Sequence, residues 1–270
     1  MTNRAPTIVM TFCFFTAAAF AGVGLEAGYR NMYDLNFPAA HVVFHDYEQT
    51  NPSDPLGPAS DAAAYLFSEF DRLHILQSEF FASDTSFVKM RRLAPDAQVK
   101  TQFDAALTRA TQLAEARLAK APEDPDAQFA VVMVHGLRSD YLGLVERNYL
   151  ASLSEIKLGR LYADKLLMKH PDYADAYTAI GVENYLLGIK AAPIRWLLRM
   201  GGAQTDKQTG IEKLTIAAEK GRYLRPFARL LLAVAAMRDK DLPKAKEILR
   251  WLVSEYPHNH LYGEELAKLQ

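Results

Sequence analysis

The chain has 270 residues, with 31 basic against 32 acidic side chains and a net charge of −1. Half of its residues are hydrophobic and 23% are charged. That balance excludes a chain too polar to bury a core. It also excludes a uniformly basic surface that gathers nucleic acid or anionic lipid by charge alone.

The first elements are read from the N-terminus. Met1 to Thr7 carry one charged side chain, Arg4, and Ile8 to Leu25 carry none. Ala19-Phe20-Ala21 places small residues at the −3 and −1 positions of a cut after Ala21. This layout predicts a signal peptide or N-terminal hydrophobic anchor over 1–21 and one domain over 22–270. Cys13, the only cysteine, is preceded by the bulky Phe12 and a short apolar run, which argues against lipidation. The mature domain then holds no disulfide, CxxC pair or thiolate metal site. After residue 30 no apolar run is long enough to span a bilayer. Gly22-Val23-Gly24-Leu25-Glu26-Ala27 fits a GxGxxA pattern, but no strand precedes it, so it reads as a cleavage region and tight helix start rather than a dinucleotide loop.

Helical spacing dominates the rest. Phe37, Ala40, Val43, Phe44 and Tyr47 share one side of a helix over 37–49. On it, His41 and His45 stand four residues apart, a spacing that suits a metal on one helical face. The pattern supplies neither a third ligand nor an HExxH motif, so no metal and no cofactor are expected. A long helix is predicted over 61–81, through Tyr65, Leu66, Phe70, Leu73, Leu76 and Phe80, and another over 98–121. Glu69/Asp71 and Glu264/Glu265 read as solvated carboxylates on helices whose other faces are apolar. Further helices are expected over 125–137, 174–185, 226–238 and 241–257, with a capping helix over 261–269. Lys190, Arg195 and Arg199 surround Ile194, Trp196, Leu197 and Leu198 in a basic amphipathic stretch, 189–200, read as a packing insert with Trp196 filling a gap between units. His258 and His260 flank a turn as caps or solvated groups. No stretch alternates in the manner of a strand.

The breaks share one rhythm. Asn36-Phe37-Pro38-Ala39-Ala40 closes on Pro52, and Asp241-Leu242-Pro243-Lys244-Ala245 closes on Pro257. In each, Pro falls in the first helical turn, where its missing N–H costs nothing. Asn36 and Asp241 are the expected caps. The second Pro stops the helix. Ala110 with Pro122 and Gly159 with Pro171 mark two more such helices.

With Tyr177, Ile180 and Gly181 filling the large, Leu and Gly slots of a partner helix, and Leu232 and Ala233 doing so near the end, the chain resembles the tetratricopeptide repeat family. The pattern is most specific over 172–257. The resemblance implies an all-α fold, a right-handed superhelical array of antiparallel helix pairs. It further implies a concave face lined by the first helix of each pair. By phase, that face carries Phe129, Met133, Thr178, Val182, Tyr185, Leu230, Val234 and Met237. The Lys and Asn that clamp peptide carboxylates in the best-known members are replaced by Thr178, Val182, Leu230 and Val234. The expectation is therefore an exported, periplasmic or envelope-associated protein-binding scaffold without catalysis. Its partner is a protein or peptide held in an apolar groove, not a nucleic acid. Membrane contact is confined to the N-terminal segment or 189–200. The alternative is an enzyme with an unfamiliar helical site, marked by a cleft joining His135, Glu146 and Glu183 or one at His41/His45.

Overall fold

The computed structural model describes residues 18–75, 94–190 and 192–270, with side chains from Gly24 onward. Most of the predicted leader, Cys13, and Leu76 to Phe81 of the predicted 61–81 helix lie outside the described residues. Among those described, the chain is all helical, without a strand. The helices are α1 (Ala18–Tyr33), α2 (Phe37–Thr50), α3 (Leu56–Arg72), α4 (Ala97–Leu118), α5 (Pro125–Asp140), α6 (Tyr149–Lys169), α7 (Tyr177–Gly188), α8 (Ala192–Met200), α9 (Lys207–Lys220), α10 (Arg225–Arg238), α11 (Leu242–Glu255) and α12 (His260–Lys268). A π-helical turn, Tyr141–Val145, extends α5, and a 3-10 turn, Ala174–Ala176, leads into α7. Among the described residues the helices pack chiefly on their neighbours in chain order, except that α7 packs chiefly on α9, past α8.

Local chemistry sets the helix starts. The carboxyl or amide oxygens of Asn36, Asp96, Asp124, Asn148, Asp206, Asp241 and Asn259 accept from backbone N–H groups in the first turn, at 2.8 to 3.3 Å. The phrase repeated in the sequence has a repeated shape. Leu35 and Lys240, one residue before each cap, both adopt φ 62°. The N–H of Asn36 donates to Asn31 and that of Asp241 to Ala236, each at 2.9 Å. The helices end alike too, on Asn51 at φ −129° and Tyr256 at φ −129°, each just before its Pro. One sequence phrase therefore encodes one turn–helix–stop unit at both ends of the chain.

Two expectations are corrected. α3 starts at Leu56, not 61, because the Asp54 carboxylate accepts the Leu56 N–H at 3.0 Å while Tyr47 donates to its other oxygen at 2.6 Å. It stops at Arg72, where His74 turns to φ 57°. Glu69 is not solvated. It is buried, accepts two hydrogen bonds from Arg72 at 2.7 and 2.8 Å, and takes the Asp96 N–H at 2.9 Å, tying the start of α4 to α3. The GxGxxA residues lie inside α1, which rules out a strand–turn–helix loop there.

The segment 189–200 is the third correction. In α8, Trp196 is 64% exposed, and Ile194, Leu197 and Met200 are exposed as well. The two arginines are tied to the neighbouring backbone and to Thr205. Arg195 donates to the carbonyl of Lys190 at 3.0 Å, and Arg199 to the Thr205 hydroxyl at 2.6 Å. Lys157 of α6 ties the end of the helix down through the Gly201 carbonyl at 2.6 Å. No residue of α8 is buried, and most of its apolar side chains are open to solvent together with Arg199. Trp196 fills no gap.

The first helix meets the last. Asn259 donates to the carbonyl of Tyr33 at 2.7 Å, and the His258 N–H donates to Asp34 at 2.9 Å. Tyr29 stacks on Tyr223 at 5.1 Å. Exposed pairs, Arg222–Glu26 and Arg30–Glu255, surround this seam and contribute little by themselves.

Candidate functional site

The inward sides of α1, α3, α5, α6, α7 and α10 leave a half-open chamber of about 90 Å³. Its walls are apolar: Met32 and Tyr33 from α1, Phe67 from α3, Phe129 and Met133 from α5, Val182 from α7 and Phe227 from α10. Gly136 helps to keep it open, since a Cβ placed there would meet nothing within 4 Å. A water needs roughly 10–15 Å³ of such space, so the volume suits one ring-sized group rather than a helix.

Few polar groups face this space, and several lack partners. The hydroxyls of Tyr33 and Thr178 are buried without a hydrogen bond among the described residues. Asp140, at the end of α5, faces no cation and accepts no hydrogen bond among them. Burial alone pushes its carboxyl up to about 7. The other carboxylates at the wall are occupied. Glu155 takes His135 Nδ1 at 2.6 Å. Asp175 accepts three backbone N–H groups, from Arg222, Tyr223 and Leu224, at 2.7 to 3.1 Å, fixing the turn before α10. Burial raises the Asp175 carboxyl while those three donors pull it down.

Of the residues assigned to the inner face by phase, Phe129, Met133, Thr178 and Val182 line the chamber. Leu230 lines a separate recess of about 10 Å³ beside Met32 and Tyr262. Tyr185, Val234 and Met237 line neither. Tyr185 is buried against Gly210, whose Cβ position lies 2.5 Å from the Tyr185 nitrogen. Tyr29, Tyr33, Phe67, Asp140 and Phe227 were not legible as site residues, because periodicity does not say where distant helices meet.

His135, Glu146 and Glu183 each face a different partner. His135 pairs with Glu155, Glu146 lies 3.6 Å from Lys100, and the buried Glu183 lies 2.7 Å from Arg160. Burial raises the Glu183 carboxyl, and Arg160 opposes that. His258 binds Asp34, and His260 is exposed.

The His41/His45 pair is different. Asp61, from α3, reaches both rings, with Oδ1 at 2.6 Å from His41 Nδ1 and Oδ2 at 3.1 Å from His45 Nε2. The Tyr65 ring lies 4.1 Å from the His41 ring, centre to centre. This is the only group among the described residues that brings three such donors together. Comparison with known protein families, with curated proteins and with solved structures finds no match.

Proposed function

We propose that the chain is an exported, envelope-associated binding scaffold of tetratricopeptide-like build, without chemistry of its own, that holds a peptide partner by one large apolar side chain. The observation that carries this reading is the half-open apolar chamber with unpartnered polar groups on its wall. Ligand sites combine apolar walls with a few placed polar groups in this way. The identical turn–helix–stop geometry around Asn36 and Asp241 supports the repeat reading.

The volume narrows the partner. A whole helix does not fit, while a Phe, Tyr or Leu side chain does. Asp140 adds a preference for a cation or N–H donor beside that anchor. A mouth open on one side suits a residue that continues into a chain outside. The outward apolar side of α8 supports the envelope reading, since an exposed Trp with flanking apolar residues suits a membrane surface.

The test is peptide-library selection against the full chain and against Gly136→Leu, which fills the chamber from a helix position with free space around it. Selected peptides are expected to share a large apolar residue next to Lys or Arg, and to lose binding to the variant while its thermal melt is unchanged. Equal binding to Gly136→Leu places the contact elsewhere and ends the proposal. Mass spectrometry of the protein from its native host checks export, with Gly22 as the expected first residue.

A further inference from the structure

His41, His45 and Asp61 stand apart from the chamber, and none of them lines it. They come from two neighbouring helices. α2 presents His41 and His45 one turn apart, and α3 brings Asp61 up against both. The donor atoms of all three lie within 4.8 Å of one another. Around a tetrahedral ion with bonds of about 2.0–2.1 Å, ligand atoms sit roughly 3.4 Å apart. The observed separations of 2.6 and 3.1 Å from Asp61 need only small side-chain rotations to reach that spacing.

Burial is graded across the cluster. The Asp61 side chain is 5% exposed, that of His41 19% and that of His45 52%. The carboxylate is therefore fixed from inside, and the outermost imidazole is free to swing at the surface. The Tyr65 ring packs on the His41 ring and restrains it.

The local charge favours a cation. Glu48 lies one turn beyond His45 on α2, and its carboxyl is raised first by burial and then by the charge of Asp61. Arg109 of α4, 3.0 Å away, offsets one of these two carboxylates, and His45 also opposes the rise. With neutral imidazoles, the cluster keeps one negative charge in excess.

We propose that His41, His45 and Asp61 bind a divalent transition-metal ion of the zinc class, leaving the fourth position to water. Two imidazoles and a carboxylate suit such an ion and not magnesium, which prefers oxygen ligands. Three protein ligands with one open position is the arrangement of zinc sites that exchange a ligand rather than of closed structural ones.

The experiment is calorimetric titration of Zn2+ into the full chain, stripped with chelator and free of any polyhistidine tag. Wild type is expected to take up one equivalent. His45→Ala, which alters a surface side chain, and Asp61→Asn are expected to weaken binding by about tenfold or more. His260→Ala serves as a control and is expected to bind as wild type does. Excess Mg2+ should not compete, and Co2+ in the site should show the visible absorption of a four-coordinate ion. His45→Ala carries the test by itself if Asp61→Asn melts early, since its own melt reports whether it folds. Absence of the one-equivalent uptake in wild type, or its survival in folded His45→Ala, overturns the proposal and leaves a hydrogen-bonded pair of histidines.

Discussion

Gly181 on α7 and Leu214 on α9 are closer than any side chain on Gly181 would permit. A Cβ there would fall 2.7 Å from the Leu214 Cγ and 3.0 Å from its backbone nitrogen. Gly159, assigned the same small-residue role from sequence, is looser, with its nearest neighbour at 3.5 Å from the Cβ position. Gly181→Ala is therefore expected to destabilise by about 1–3 kcal/mol through overpacking. Gly159→Ala should be neutral or gain up to about 1 kcal/mol from helix propensity. Thermal melts separate them, at about 2–4 °C per kcal/mol for a chain of this size. Equal melting points would show that close approach is not what Gly181 provides.

Asp140 predicts a pH dependence. Its carboxyl sits at about 7 in the folded chain, against about 3.8 unfolded. A raised folded value means a contribution fully present below the unfolded value and lost as pH rises through the folded one. Wild type should therefore lose stability relative to Asp140→Asn between about pH 4 and pH 7, then run parallel to it. The full span is at most about 4 kcal/mol, and less in so far as the chamber admits water. Denaturant melts of both proteins at several pH values check it, and a pH-independent difference refutes it.

Asp175 holds the turn into α10 through three backbone donors. Asp175→Ala strands them and is expected to cost about 2–4 kcal/mol. Asp175→Asn keeps an acceptor for the Tyr223 and Leu224 N–H groups, which share one oxygen, and should cost clearly less. Urea unfolding of the two variants against wild type decides the order.

Fluorescence tests the outward face of α8. Trp251 is half-buried under Arg229 at 4.0 Å, whereas Trp196 is open. Acrylamide should quench a red-shifted component that disappears in Trp196→Phe. Vesicles with anionic lipid should shift that component to the blue if α8 meets a membrane, and no shift would remove the envelope reading of this helix.

The sequence made the helix ends legible because caps and prolines act within one turn. Asn36, Asp241, Pro52 and Pro257 needed nothing distant. Asp61 was illegible as a third donor because it comes from the next helix. Trp196 fills no gap because an amphipathic period does not say whether a helix is covered at all, and α8 buries none of its residues. Phase places Phe129, Met133, Thr178 and Val182, which line the chamber, and Tyr185, Val234 and Met237, which do not, because it locates a helical stripe and not the space in front of it.

The seam between α1 and the last helices has a consequence for biosynthesis. Tyr33 waits for Asn259, and Tyr29 for Tyr223, so α1 completes its packing only once these much later residues have been made. Contacts this distant along the chain form slowly. Until that stretch is made, α1 rests chiefly on α2 and α3, and the seam with the last helices closes as the final step of assembly.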